Sequence, residues 1–182
     1  VPEIAGTQEI ELGRIHAFPN HPFKVLDDER MDMLVESIRE NGILNPVIVR
    51  PDKNGDYEMI SGHRRLHAAG IVGLSKIPAI VKEMSDDEAI IKMVDANIQR
   101  EEIMPSEKAF AYKMKLEAMK RTAGRPTKEN ACHNGTHLRS DQELALQVGD
   151  SARSIQRYIR LTELIPELLE CIDTVSYTHL RA

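Results

Sequence analysis

The apolar pattern of this chain mixes two periods up to about residue 81, and from Ser85 onward the remainder reads as helical. Before Ser85, short apolar runs of period two alternate with stretches of period 3.6, whereas after it only the helical period persists. Residues 9 to 15 alternate apolar and polar as one short strand, and Pro19 and Pro22 exclude a helix from the loop that follows. From Asp28, the positions Met31, Leu34, Val35 and Ile38 share one helix face that Asn41-Gly42 ends. Val47 to Val49 reads as a buried strand after Pro46, and Asn54-Gly55 is a turn signal that makes Tyr57 to Ile60 its hairpin partner. A helix opens at Ser61-Gly62 and runs through His63 to Ala69, and Ile77 to Val81 supplies another strand. Beyond residue 85, Ser85-Asp86-Asp87-Glu88 starts a helix carrying Ile90, Ile91 and Val94 towards Arg100. A further helix follows Pro105, with Ala109, Phe110, Tyr112, Met114 and Leu116 as core candidates. The expected class is α+β: a small mixed-sheet domain followed by an all-α domain.

Charge narrows the partners. The 182 residues carry a net charge of −5, so nucleic acid would have to be met by a locally basic face rather than by the molecule as a whole. Residues 83 to 107 hold eight acidic and two basic groups, and residues 113 to 128 hold six basic and one acidic. Apolar periodicity lapses between Arg121 and Arg139, where Gly124, Pro126, Asn130, Asn134 and Gly135 indicate a flexible linker. No apolar run approaches the roughly 20 residues of a membrane crossing, and no membrane partner is expected. Cys132 and Cys171 lack disulfide or zinc spacing, which together with the missing signal peptide fits a cytoplasmic, nucleoid-associated protein. Cys132, His133 and His137 lack a fourth zinc ligand and read as linker residues; His16 and His21 read as surface-loop residues. The methionines at 84, 93, 104, 114 and 119 read as core filler. The start without an initiating methionine reads as that of a fragment, and residues 174–182 as an extraneous tail.

Two constellations carry chemistry. After the linker, Ser140-Asp141-Gln142-Glu143 begins a helix with Leu144, Ala145 and Val148 inward, and Asp150-Ser151 caps a second with Ile155 and Ile159 inward. Small Ala145 allows a close crossing, Gly149 takes the sharp turn and Ile155 locks the second helix, which is the geometry of a helix-turn-helix. Arg153, Gln156, Arg157 and Arg160 then face outward, where arginine can fork onto guanine and glutamine can pair with adenine. Ser140, Ser151 and Ser154 near the two helix starts complete the expected DNA-binding set. A helical hairpin with a merely solvated basic face is the plain alternative. The second constellation is Ser61-Gly62-His63-Arg64-Arg65 at a strand-to-helix junction. Unpaired backbone amides there aim at an anion, and paired guanidinium groups add charge-assisted contacts to phosphate.

On these residues the chain resembles the ParB family of chromosome and plasmid partition proteins, including the RepB type. The resemblance rests on Leu12 to Val25, "MLVESIRENGILNPVIVRP", "YEMISGHRRLHAA", "NIQREEIMPSEKAFAY" and "SDQELALQVGDSARSIQRYIRLTELIPELL", in that order over most of residues 10 to 170. It implies a sulfiredoxin-related first domain, a site for CTP and Mg2+, and a DNA clamp that loads at a centromere-like sequence. Gly62, Arg64 and Arg65 match the family's phosphate box, with Ser61 and His63 beside them in the expected phosphate-binding set, while Asn97 and Arg100 match its second nucleotide box, with Asn97 as the expected magnesium ligand. Two positions depart: His63 replaces the glutamate usual after the glycine, and Ala96 the glutamate usual before the asparagine. Losing two carboxylates argues against hydrolysis, since neutral imidazole is a poor ligand for a hard cation; phosphate contacts do not need them. The implied partners are double-stranded DNA, a second copy in the full-length protein and a ParA-type ATPase. The expected organisation is 8–100 nucleotide-pocket domain, 101–121 connecting helix, 122–139 linker and 140–173 helix-turn-helix. The alternatives are a CTPase or phosphotransferase on the same fold, and a mobile-element transcription regulator that uses no nucleotide; no catalytic residue is assigned.

Overall fold

The computed structural model describes residues 6–98, 103–123 and 139–180. The chain divides into two units, one ending at Ser85 and one beginning at Asp86. The first contains a five-stranded sheet formed by β1 (Thr7–Glu11), β2 (Ile15–Ala17), β3 (Val47–Pro51), β4 (Tyr57–Ser61) and β5 (Lys76–Val81), with helices α1 (Glu29–Asn41) and α2 (His63–Val72). Strand order is β1-β5-β3-β4-β2; β1/β5 and β3/β4 are antiparallel, and β5/β3 and β4/β2 parallel.

In place of the single strand expected over residues 9 to 15, a 3-10 turn at Leu12–Arg14 divides β1 from β2. The two strands sit on opposite edges of the sheet. Four residue steps reach about 14 Å at most, against roughly 19 Å for four flat inter-strand steps, so the sheet must curl to bring its edges near each other. Ile10 and Leu12 keep the alternation up to the turn and Ile15 resumes an apolar position one residue out of phase, so the short run reads as one strand although Gly13-Arg14 interrupt it.

The core of this unit follows the two periods. Val47 and Val49, Ile77 and Ala79, and Met59 place alternate side chains on one face, where Met31, Val35 and Ile38 of α1 and Ala68 and Ala69 of α2 cover them. Asp28 caps α1, its carboxylate accepting from Met31 N at 2.9 Å. On β3 and β4 the register partners Arg50 and Glu58 form a nearly buried ion pair at 2.6 Å, and Arg50 also lies 5.3 Å from the Phe18 ring centroid.

The second unit is helical: α3 (Asp86–Ile98), α4 (Pro105–Ala123), α5 (Ser140–Val148), α6 (Ala152–Leu161) and α7 (Pro166–Leu180). Helix α4 packs against each of the other four. The stretch expected to be a connecting helix is thus the centre of this unit, and α3, expected in the first domain, belongs to it as well. Tyr112 and Leu116 are buried on α4 as expected, but Phe110 is 38% exposed. Ala109, Tyr112 and Leu116 fall on one face at i, i+3 and i+7, and Phe110, one step from Ala109, turns 100° away from it. On α3 the buried side chains are Ala89, Met93 and Val94, while Ile90 and Ile91 are half-buried. Most of the expected linker lies outside the described residues.

The junction of β4 and α2 depends on Gly62. Its φ of 117° is in the left-handed region, and a Cβ there would lie 2.6 Å from Val47 Cγ1, inside the sheet's core. Gly62→Ala should therefore lower stability by about 2 to 4 kcal/mol, backbone strain and overpacking combined. Urea denaturation checks this, and a loss no larger than that of an exposed helix substitution would contradict it.

Candidate nucleic-acid interface and phosphate-binding turn

The helix-turn-helix is built from one shared core. Tyr112 and Leu116 of α4 meet Leu144 and Ala145 of α5 and Ile155 of α6, and Val148, Tyr158 and Ile159 pack around them. Ala145 is small enough for α5 and α6 to cross closely, and Gly149 ends α5 at φ 74°. Ser151 caps α6, its Oγ accepting from Ser154 N at 3.1 Å and lying 2.9 Å from Ser154 Oγ. With Ile155 fully buried, the helix period turns Arg153, Gln156, Arg157 and Arg160 outward, and all four are exposed. Ser140 opens α5 half-buried, in a cleft with Lys120, Arg139, Asp141 and Gln156. Asp141, nearly buried, lies 3.4 Å from Arg139 Nη2 and accepts from Gln156 Nε2 at 3.5 Å.

The turn between α5 and α6 is anchored by the carboxylate of Asp150, which does more than begin a cap. Asp150 Oδ2 accepts from Tyr112 OH and from Lys108 Nζ, the latter at 2.9 Å. The Lys108 ammonium lies 4.9 Å from the Tyr158 ring centroid and 5.5 Å from that of Tyr112, and the two rings meet edge to face at 5.8 Å. Hydrogen bonds from Lys108 and then Tyr112 hold the Asp150 carboxyl below its ordinary range. Burial first, and then the bond to Asp150, push the Tyr112 hydroxyl above its ordinary value. Lys108 and Tyr112 stand four apart on α4, a spacing visible in sequence; that Asp150 receives both is not.

In the first unit, Ser61, Gly62, His63, Arg64 and Arg65 lie together where β4 gives way to α2. Leu66 N donates to Gly62 O at 3.0 Å, so the amides before it form the open first turn of the helix. The arginine pair is not simply presented to a ligand. Arg64 Nη2 donates to Asp28, the cap of α1, at 3.1 Å, while its Nε is buried with no hydrogen-bond partner. Arg65 Nη1 donates to the carbonyls of Asn45 and Pro46, the second at 2.8 Å, and burial lowers its pKa. His63 stacks on His21 with ring centroids 3.7 Å apart, and His21 meets Phe23 edge to face. His21 thus packs onto the phosphate-box turn, a role that a proline-flanked histidine gives no local sign of.

Asn97 lies on α3 of the second unit, its Nδ2 donating to Met93 O at 2.8 Å. Arg100, Cys132, His133 and His137 fall outside the described residues. Among the described residues no three His, Cys, Asp or Glu side chains are grouped to hold a metal ion, and no helix is long and apolar enough to cross a membrane.

Comparison with known proteins assigns the class. The model of the ParB N-terminal domain matches residues 2–98, and the chain belongs to that family. It is 35% identical over 180 residues to the chromosome-partitioning protein Spo0J of Thermus thermophilus, covering 98% of this chain and 60% of that protein. It is 33% identical over 177 residues to a nucleoid occlusion protein of Bacillus cereus, covering 96% and 55% respectively. The chain thus spans little more than half the length of these relatives. Among solved structures, the C-terminally truncated ParB of Caulobacter crescentus complexed to the centromeric parS site matches with a TM-score of 0.55 and 24% identity, over 90% of this chain and 75% of that one. That likeness establishes the ParB fold, α+β as expected.

The shifts at Asp150 and Tyr112 predict how stability depends on pH. A carboxyl held below its ordinary 3.8 contributes fully above that value, and the contribution is lost as pH falls through the lower folded value. A phenol raised above its ordinary 10 contributes below that value, and the contribution is lost at higher pH. Thermal unfolding against pH should show Asp150→Asn losing the least relative to wild type below about pH 4, with Tyr112→Phe removing part of the decline above pH 10. Parallel curves for wild type and both variants would contradict the assignment.

Proposed function

We propose that this chain is the nucleotide- and DNA-binding portion of a ParB-type partition protein, in which α5 and α6 read a specific duplex sequence. One observation carries the reading. The inner face of α6 is fixed by Ile155 and Ile159, and its outer face presents Arg153, Gln156, Arg157 and Arg160 to solvent from a capped start. That combination suits a major groove: the three guanidinium groups face solvent, Gln156 is exposed beside Asp141, and the inner face of the helix is held by the core. The relatives named for chromosome partitioning and nucleoid occlusion, and a structural neighbour bound to parS, support the same reading.

The first unit, in this proposal, takes the phosphates of CTP at the open turn of α2. Arg64 Nε is a buried donor without an acceptor, which a phosphate oxygen would satisfy. Asn97, whose Nδ2 is bonded to Met93 O within α3, keeps in this proposal the part of magnesium ligand that the family resemblance gives it. With His63 at the first position of α2, bound CTP acts as a regulator of the DNA clamp rather than as a substrate turned over rapidly. A dimer of the full-length protein and a ParA-type ATPase complete the proposed partition assembly.

Arg157→Ala should weaken binding to a parS-type duplex by about 1 to 3 kcal/mol and relax base preference at one position. Fluorescence anisotropy against a scrambled duplex at fixed salt checks this, and unchanged affinity and selectivity would reject α6 as the reader. Calorimetry should show heat on adding CTP to wild type and none with Arg64→Ala of unchanged helix content. Equal heats from the two proteins would remove Arg64 from the nucleotide site.

A further inference from the structure

Asp150 immediately precedes the cap of α6, and its side-chain bonds to Tyr112 and Lys108 both lead to α4. Its Oδ2 receives both the Tyr112 hydroxyl and the Lys108 ammonium, and Lys108 in turn lies against the ring of Tyr158, on α6 itself. Two turns of α4 therefore hold both the entrance to the recognition helix, through Asp150, and its middle, through Tyr158. The apolar core alone does not fix the helix in this way. Ile155 is the one fully buried side chain on α6, and Ala152, Tyr158 and Ile159 pack around it only half-buried, so the apolar face decides which side of the helix is covered and leaves a smaller roll about its axis to be set by other bonds. A roll of a few tens of degrees would exchange which of Arg153, Gln156 and Arg157 point at base edges, because these side chains are spread around the exposed half of the helix.

We propose that Lys108, Tyr112 and Asp150 are positioning residues for DNA reading: their polar latch fixes the roll of α6, and hence sequence selectivity, without touching DNA. The inference rests on α6 being the reader. The chemistry suits the task, since bonds to an ionised group are directional and stronger than neutral ones. Tyr112 is buried and Lys108 is only partly exposed, so water competes weakly for the carboxylate. None of the three side chains needs to leave its place for α6 to enter a groove.

Two variants separate the latch from the fold around it. Tyr112→Phe keeps the buried ring and removes only the hydroxyl; Lys108→Met keeps the apolar stem and removes only the charge. Each should lower the ratio of parS-type to scrambled affinity by roughly tenfold, the weight of about one charge-assisted bond. Affinity for the scrambled duplex and its salt slope should stay the same, because the phosphate-contacting cations are intact. Asp150→Asn, which keeps the shape and one acceptor oxygen, should fall between these variants and Asp150→Ala. A variant that is folded by circular dichroism yet retains the wild-type ratio, or that loses both affinities in proportion, overturns the latch. Hydrogen exchange measured without DNA gives an independent result. Amides of Ala152–Leu161 should exchange faster in Lys108→Met and Tyr112→Phe, and unchanged exchange rejects the latch whatever the DNA result. If instead wild type prefers no duplex while exchange does accelerate, the DNA reading fails and the latch stands as a constraint on α6.

Discussion

The burial of Ile155 against Tyr112, Leu116, Leu144 and Ala145 is the contact on which the helical unit turns. It joins three helices at one point and decides which half of α6 meets solvent. A fully buried aliphatic side chain of this size contributes on the order of 1.5 to 3 kcal/mol, enough to hold a short helix that its own hydrogen bonds could not sustain. The arginines of α6 carry no structural duty as a result. Their exposure is the consequence of a decision made on the opposite face, and it leaves guanidinium groups available to a polyanion on a chain whose net charge is −5.

The sheet unit relies on a different constraint, the absence of a side chain at Gly62. Val47 occupies the space that a Cβ would need, so the strand-to-helix turn and the core of the sheet are specified together. Around that turn the polar groups serve two ends. Arg65 ties α2 to the loop before β3, Arg64 ties it to the cap of α1, and His67 repeats the tie through Asp27 at 2.8 Å. In the proposed phosphate site these arginines would already be oriented by protein acceptors, a preorganisation that reduces the entropy lost when a ligand arrives.

Much of this was legible in sequence, and for identifiable reasons. Asp28, Asn54-Gly55, Gly149 and Ser151 are caps and turns whose chemistry is local, and the structure has each where its residue type requires. The period of 3.6 correctly turned Ile155 inward and Arg157 outward. What sequence did not reveal depends on partners distant along the chain. The closeness of Ile10, Leu12 and Ile15 concealed the turn between β1 and β2, because only sheet pairing shows that the strands occupy opposite edges. Phe110 was assigned to the core by hydrophobicity although its helical phase opposed it. The acceptors of Arg64 and Arg65, the stacking of His21 on His63 and the convergence of Lys108 and Tyr112 on Asp150 join residues separated by up to 42 positions, and no local pattern encodes them.

The central claim, that α6 reads base sequence, is tested most directly by selecting bound duplexes from a random pool. The account predicts enrichment of a defined motif, whose preferences at individual positions change when Gln156 or Arg153 is substituted. A flat pool, or a motif indifferent to every substitution on the exposed face of α6, would contradict it.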